Sequence, residues 1–228
     1  MSKTRIYFVR HCEAEGNFYR LFHGHYDSKI TQNGKIQLGY LAERFKDIPY
    51  DYIYSSPLNR TMLTAKAVNK YKNLDIIPYE GLIEINGGHW ENVSWNKIPE
   101  LYPDEAYCWA MEPHKFAPLN GETMLQVRNR IINTALTIAN LHKGKTIVCV
   151  SHGCVIRNML CWAKGWDIDK LNDVKWSDNT AISLIEIDEN NKPTLLIESD
   201  NSHLPENNST LGKQSWWKPG LTLEQKFQ

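Results

Sequence analysis

The stretch Tyr7-Phe8-Val9-Arg10-His11-Cys12-Glu13 decides the fold of this chain. It is typical of a buried apolar strand that runs into an arginine and a histidine and then ends. Such a strand places both side chains at the carboxyl edge of a sheet, where open α/β sheets bind their ligands. A second stretch, Ile147-Val148-Cys149-Val150-Ser151-His152-Gly153, repeats the pattern. Together the two stretches predict two histidines at one edge of a parallel sheet.

The rest of the chain alternates between predicted strands and helices. Apolar periodicity predicts further strands at 52–54, 74–78, 181–187 and 193–198, and helices near 36–45, 58–71, 121–141 and 155–163. This alternation predicts an α/β fold of three layers, α/β/α, around a mostly parallel central sheet. The last two strands read as a hairpin, which predicts an antiparallel edge strand.

Two segments fall outside the alternation. Residues 85–120 contain Gly87-Gly88, several prolines and several tryptophans, so we expect an inserted lid of loops and short helices. Residues 203–228 form a polar C-terminal tail, which we expect Trp216-Trp217 to tether to the body. At 228 residues the chain suits one domain, 1–228, that carries this insertion and tail.

Composition excludes several classes of function. The chain carries 26 basic and 26 acidic side chains, which argues against a nucleic-acid partner. No apolar run reaches the roughly 18 residues that a membrane span needs, and no signal-peptide segment precedes the first strand. The five cysteines are scattered and form no CxxC pair, which is typical of a reduced cytoplasmic protein without a zinc site.

Charged side chains follow the predicted strands at the same edge of the sheet. They are Arg10, His11, Arg60, Glu84 and His152. Arginine binds phosphate oxygens in a planar fork, and histidine supplies a nucleophile near neutral pH. A carboxyl group can protonate a leaving oxygen. This set of residue types therefore indicates phosphoryl transfer.

Six motifs, in order, resemble those of the histidine phosphatase superfamily in its phosphoglycerate-mutase-like branch. The resemblance spans nearly the whole chain and rests on 10–17, 24–37, 55–65, 82–91, 121–123 and 150–153. Two positions depart from the pattern: Cys12 stands where the family has glycine, and Ala14 where it has a hydroxyl residue. Glycine there serves a tight backbone path, so Cys12 either reshapes the floor of the pocket or simply fits.

The resemblance assigns roles to the residues that match its motifs. The catalytic set that it implies is His11, Glu84, Arg10, Arg60 and His152. The substrate-binding set is Arg10, Asn17, Gly24, Arg60, His152 and Gly153. His11 would carry a covalent phosphoryl group, and Glu84 would protonate the leaving alcohol, with Glu80 or Glu91 as the alternative donor. No cofactor and no metal is implied, because arginine and histidine supply the positive charge.

Three functions remain open at this point. The expected one is a metal-independent phosphomonoester hydrolase acting on a small phosphorylated metabolite. The alternatives are a phosphoglycerate mutase and a non-catalytic phosphate-binding regulatory domain. We expect His23, His25 and His89 to be surface or lid histidines, and the lid tryptophans to pack the lid down. No membrane partner is expected, and a homodimer stays open.

Overall fold

One six-stranded sheet forms the centre of the chain. The structure, a computed structural model, describes residues 3–218 and 220–227. The strands are β1 (Thr4–Arg10), β2 (Tyr52–Ser55), β3 (Ile76–Pro78), β4 (Thr146–Ser151), β5 (Ile182–Ile187) and β6 (Pro193–Asp200). Their order across the sheet is β3-β2-β4-β1-β5-β6. The first four strands in this order are parallel, whereas β5 pairs antiparallel with both β1 and β6. The hairpin at one edge is therefore where the sequence predicts it.

Eight helices accompany the sheet in the part of the chain that the structure describes. They are α1 (Glu15–Phe18), α2 (Gln32–Phe45), α3 (Asn59–Val68), α4 (Ile98–Leu101), α5 (Pro103–Met111), α6 (Met124–Leu141), α7 (Gly153–Ala163) and α8 (Leu223–Phe227). Helix α6 begins at a capping box, in which Thr123 and Gln126 each accept a hydrogen bond from the other's backbone N–H. No helix among these residues is long and apolar enough to cross a membrane.

Two cores, one on each face of the sheet, make the three layers. Phe8 and Cys149 pack with residues of α6 and α7 on one face. Val9 and Val150, the next residues along the same strands, pack with residues of α2 and α3 on the other face. Because both faces are covered, β1 and β4 are continuous apolar runs. The predicted α/β/α class is confirmed.

The lid and the tail pack against each other. The lid contributes α4 and α5, and the tail ends in α8, whose Phe227 ring lies 5.9 Å from the Trp95 ring. The Lys226 ammonium also donates to the Ala110 carbonyl oxygen at 2.8 Å. Both segments therefore lie together over one region of the body.

Candidate active site

The carboxyl ends of three neighbouring parallel strands carry the candidate site. Arg10 at the end of β1 is in register with Ser151 at the end of β4, and Ser55 at the end of β2 is in register with Val150. The residues that follow these ends therefore lie side by side. The rings of His11 and His152 have centroids 5.1 Å apart. The two histidines thus lie together, as the strand pattern predicts.

His11 is held as a neutral imidazole with a defined tautomer. Its ring is 2 % exposed, and its Nδ1 lies 2.7 Å from the Cys12 carbonyl oxygen. A carbonyl oxygen only accepts, so Nδ1 carries the proton and Nε2 keeps a free lone pair. Burial lowers the pKa of His11 well below 6.5, and the charges of Arg60 and Arg10 lower it further. A nucleophilic nitrogen is therefore available even in mildly acidic solution.

Arg10 and Arg60 donate hydrogen bonds to backbone carbonyl oxygens of loops, and each also has an N–H group without a partner. Arg10 Nη1 donates to the Ser177 carbonyl oxygen at 2.6 Å. The two Nη atoms of Arg60 donate to carbonyl oxygens of the 23–26 loop, among them Gly24 at 2.7 Å. The Nε atoms of Arg10 and Arg60 are buried and have no hydrogen-bond partner. Arg60 therefore orients the loop, and its remaining donor for an anion is Nε.

His152 supplies a third donor beside these two. Its Nε2 lies 2.8 Å from the Ser56 hydroxyl, which already accepts from the Leu58 N–H at 3.4 Å. The hydroxyl proton has no other acceptor among the described residues, so we assign it to Nε2, and Nδ1 then carries the ring proton. That Nδ1 is buried without a partner. Burial, and then the charge of Arg60, lowers the pKa of His152 well below 6.5, so it acts as a neutral donor.

Glu84 lies at the N-terminus of α7. Its carboxyl oxygens accept from the backbone N–H groups of Cys154 at 3.1 Å, Val155 at 3.3 Å and Ile85 at 2.9 Å. Burial raises the pKa of Glu84, although the Ile85 and Cys154 hydrogen bonds oppose the shift. A carboxyl group with a raised pKa stays protonated to a higher pH, which suits a general acid.

The two alternative acids are placed less well for proton donation. The Glu91 carboxylate accepts from three backbone N–H groups, those of His25, Tyr26 and Gly87. Glu91 therefore ties the 24–26 loop to the start of the lid. Glu80 is exposed and lies outside the residues that line the central cavity. The geometry favours Glu84 as the acid.

A cavity opens over these residues. Five of the predicted site residues line it: Arg10, Asn17, Gly24, Glu84 and Gly153. His11, Arg60 and His152 are almost completely buried next to them. The Asn17 side-chain oxygen accepts from the Ala14 N–H at 3.1 Å, which leaves its NH₂ group available to the cavity. The structure therefore brings every predicted site residue into one place.

Several cavity residues are missing from the sequence-based prediction. They are Arg20, His23, Trp176, Gln214 and Trp216. Of the three histidines expected at the surface or in the lid, His23 lines the cavity, with its ring 5.6 Å from that of His11. Gly16 makes this approach feasible, since a Cβ there would lie 2.3 Å from the His23 Cγ. The contact between Gly16 and His23 depends on how the loop folds, so the sequence alone does not indicate it.

Asn179 is a further residue that the sequence does not reveal. Its amide donates to the His11 carbonyl oxygen at 2.8 Å and lies 3.4 Å from the Asn17 side-chain oxygen. The following residue, Thr180, has a φ of 60°, a strained conformation for a β-branched residue. Its N–H donates to the Arg10 carbonyl oxygen at 3.1 Å. This turn therefore fixes the backbone of both site residues at the end of β1.

Cys12 fits the site without distortion. Its φ lies outside the left-handed region, and its N–H donates to the Thr64 hydroxyl at 3.0 Å. The side chain is completely buried, and burial raises the pKa of the thiol to about 11. A thiol with so high a pKa is a poor nucleophile, so Cys12 does not compete with His11 for that predicted role.

The fold and the site define an α/β protein with a cavity, lined by arginine and histidine side chains, at the carboxyl edge of its sheet. The sequence profile of the histidine phosphatase superfamily (branch 1) matches residues 6–200. Phosphoserine phosphatase 1 of Hydrogenobacter thermophilus is 35% identical to this chain over 189 residues, which are 82% of this chain and 88% of that protein. The chain therefore belongs to the histidine phosphatase superfamily.

Solved structures agree with this assignment. YhfR of Bacillus stearothermophilus matches with a TM-score of 0.84 and 29% identity, over 88% of this chain and 98% of that one. A phosphoserine phosphatase mutant of Entamoeba histolytica, solved in complex with phosphoserine, matches with a TM-score of 0.77 and 26% identity, over 89% of this chain and 100% of that one. The predicted family, fold class and enzyme class are confirmed, while the roles of individual residues stay predictions.

Proposed function

We propose that this protein hydrolyses small phosphomonoesters through a phosphohistidine formed on His11. The observation that carries the proposal is a set of three buried nitrogens without partners, namely Arg10 Nε, Arg60 Nε and His152 Nδ1. A buried N–H group without an acceptor is destabilising by about 1–3 kcal/mol. A phosphoryl group beside His11 offers oxygens to all three donors, so binding it removes that penalty.

The first step transfers the phosphoryl group to the protein. The lone pair of His11 Nε2 attacks phosphorus, and the bond between phosphorus and the leaving oxygen breaks. Glu84 gives its proton to that oxygen, which departs as an alcohol. Arg10, Arg60 and His152 donate to the non-bridging oxygens, where negative charge is stabilised in the transition state.

The second step returns the enzyme to its starting state. Water attacks the phosphohistidine, the Glu84 carboxylate takes a proton from that water, and the bond between Nε2 and phosphorus breaks. Inorganic phosphate leaves, and Glu84 is again protonated. Positive charge comes from the arginines, so we propose that no metal takes part. We also propose that the protein acts in the cytoplasm, that residues 1–228 form one domain, and that the protein has no nucleic-acid partner.

Phosphoserine is one candidate substrate, because two of the relatives are phosphoserine phosphatases. The mutase alternative lacks support in the segment after Glu84. The mutases of this family carry a longer insertion there, typically with an Arg-His-Tyr-Gly segment, and Ile85-Asn86-Gly87-Gly88-His89 contains no such segment.

The test measures phosphate release from p-nitrophenyl phosphate and from a panel of small alkyl phosphates, in the presence of EDTA. Wild-type protein should release phosphate, and His11→Ala should not. The control variant His142→Ala, at the far end of α6, should release phosphate as the wild type does. Loss of activity on chelation contradicts the metal-free mechanism. Interconversion of 2- and 3-phosphoglycerate with a bisphosphoglycerate primer would favour the mutase, and phosphate binding without turnover would favour the regulatory domain.

A further inference from the structure

Four tryptophans and one arginine form a closed ring of contacts along the wall of the cavity. They are Arg20, Trp95, Trp109, Trp176 and Trp216, and we call them the indole collar. Neighbouring indole centroids lie 5.6 Å, 6.2 Å and 5.3 Å apart in that order from Trp95. The guanidinium of Arg20 closes the ring, at 5.1 Å from the Trp216 ring centroid and 5.7 Å from that of Trp95.

The collar is built from separate parts of the chain. Trp95 and Trp109 come from the lid, Trp216 from the tail, and Trp176 from the segment after α7. All four indoles are only partly buried, which leaves part of each ring surface to the cavity. Large, partly exposed aromatic side chains that converge on one cavity are the usual lining of a small-molecule site.

The collar adjoins the reaction centre. Trp176 lies 3.4 Å from the place that a Cβ on Gly153 would take, and Gly153 begins α7 beside Glu84. Glu84 and Gly153 line the same cavity as the five collar residues, and this cavity is partly open to solvent. The alcohol of a phosphomonoester whose phosphoryl group lies on His11 would therefore lie next to the collar.

Arg20 is the one collar member that carries a charge. It forms no ion pair within residues 3–218 and 220–227, and its Nε is buried without a partner. Its φ of 56° is a strained backbone conformation, which hydrogen bonds from Trp95 and Ser94 to its carbonyl oxygen hold in place. The guanidinium itself donates through Nη2 to the Lys226 carbonyl oxygen at 3.5 Å and has no carboxylate partner among the described residues, so its charge is available to an anion.

The charged groups at the cavity wall favour an anion over a cation beside Arg20. Glu84 is the single carboxyl group among the described residues that line the cavity. Indole faces attract an ammonium group, but the positive charge of Arg20 between Trp95 and Trp216 repels one there. The collar therefore favours a second anionic group next to Arg20.

We propose that the indole collar selects phosphomonoesters whose alcohol carries an aromatic ring and a second anionic group. The ring lies among the indoles, and the anionic group pairs with Arg20. This inference rests on the proposed phosphatase activity and names the substrate class of the same site.

Non-hydrolysable analogues test the collar without turnover. Calorimetry compares the Kd values of methylphosphonate, benzylphosphonate and 4-carboxybenzylphosphonate. We expect the ring to tighten binding by about tenfold or more and the carboxylate to tighten it by about a further tenfold. Trp216→Leu should remove the effect of the ring, Trp216→Phe should keep most of it, and Arg20→Gln should remove the effect of the carboxylate. Equal affinities for the three analogues overturn the proposal.

Two matched control variants test whether the losses of affinity are specific to the collar residues. Trp217→Leu removes the adjacent tryptophan, whose indole N–H donates to the Leu211 and Gln214 carbonyl oxygens within the tail. Lys35→Gln removes an exposed charge on α2. Both should keep the wild-type order of affinities. If Trp217→Leu weakens the binding of benzylphosphonate as much as Trp216→Leu does, the collar does not bind the ring and the proposal is wrong.

Hydrolysis then separates this inference from the proposed function. The kcat/KM values of ethyl, benzyl and 4-carboxybenzyl phosphate should rise in that order, with O-phosphoserine below 4-carboxybenzyl phosphate. Analogues that bind in the expected order without any phosphate release support the collar and refute the phosphatase. Equal kcat/KM for the three alcohols, or a higher value for O-phosphoserine, refutes the collar and leaves the phosphatase standing.

Discussion

The Nδ1–H of His11 donates to the carbonyl oxygen of Cys12, the next residue in the chain, at 2.7 Å. This bond leaves Nε2 as the nitrogen with a free lone pair, and it links the tautomer of the nucleophile to the backbone that follows β1. A side chain at position 12 does not disturb this arrangement, since the carbonyl group and not the side chain makes the contact.

The phosphoryl group should therefore be found on Nε2 of His11 and not on Nδ1. Rapid acid-free quenching of a turnover mixture, followed by ³¹P NMR of the unfolded protein, distinguishes the two phosphohistidine isomers. His142→Ala should give the same signal, and His11→Ala should give none. A signal from the Nδ1 isomer would contradict the tautomer that the structure assigns.

Glu84→Gln should affect poor leaving groups far more than good ones. A general acid contributes about 10²–10⁴-fold where the leaving oxygen needs a proton. We expect kcat/KM for ethyl phosphate to fall by about that factor, while p-nitrophenyl phosphate, whose leaving group needs little protonation, loses about tenfold or less. Equal losses for both substrates would show that Glu84 does not protonate the leaving oxygen.

The pH dependence follows from the same carboxyl group. Burial raises the pKa of Glu84, and it lowers that of His11. The proposed mechanism needs Glu84 protonated and His11 neutral, so kcat/KM for ethyl phosphate should fall as pH rises through the raised pKa of Glu84. The fall due to protonation of His11 should appear only well below pH 6.5. A pH profile of Glu84→Gln with ethyl phosphate should lack the limb at higher pH.

Arg130 on α6 holds the backbone that carries Glu84. It donates to the carbonyl oxygens of Gly81, Ile83 and Glu84 at 3.1, 2.6 and 3.3 Å, and it pairs with Glu122 at 2.7 Å. Small displacements of a catalytic group lower the rate by up to about 10²-fold. Arg130 is therefore expected to act as a positioning residue for the acid.

Arg130→Gln should lower kcat/KM for ethyl phosphate by about tenfold or more and that for p-nitrophenyl phosphate much less. Adding Arg130→Gln to Glu84→Gln should produce little further loss, since both act through one carboxyl group. Arg128→Gln on the same helix, whose guanidinium contacts the Trp166 carbonyl oxygen, is the matched control. Additive losses in the double variant would show that Arg130 acts elsewhere.

His11, His152 and Glu84 could be predicted because each follows a strand or motif that is local in sequence. Parallel strands place their carboxyl ends at one edge of the sheet, so the placement of Arg10 and Ser151 at the same edge follows from the strand pattern, whereas their pairing in register is a finding of the structure. The roles of the Arg60 nitrogens did not follow. Their partners are backbone carbonyl oxygens of the 23–26 loop, and no residue type signals where a carbonyl group will point.

The collar could not be predicted for a related reason. Arg20, Trp109 and Trp216 are far apart in sequence and meet only because the lid and the tail pack on the same side of the sheet. The tail tryptophans were expected to tether the tail to the body. Trp217 bonds within the tail, whereas Trp216 contacts Trp176 and Arg20 of the body and also lines the cavity. Side-chain direction in irregular segments depends on long-range packing, which periodicity does not encode.

Asp178 should control both the stability of the tail and the selectivity of the cavity. Its buried carboxylate accepts from the backbone N–H groups of Thr210 and Leu211 at 3.1 Å each, and from the Ser209 hydroxyl. Hydrogen bonds to a charged group contribute about 1.5–3 kcal/mol each. Asp178→Asn keeps the shape but loses the charge, and we expect the free energy of unfolding to fall by about 2–4 kcal/mol.

Urea denaturation measures that loss, with Asp169→Asn on the exposed segment after α7 as the control. The tail that Asp178 anchors also carries Trp216, so the same variant should lower the ratio of kcat/KM for benzyl over ethyl phosphate. Asp169→Asn should change neither quantity. An Asp178→Asn variant that unfolds at lower urea yet keeps the full benzyl preference would show that the position of Trp216 does not depend on this anchor.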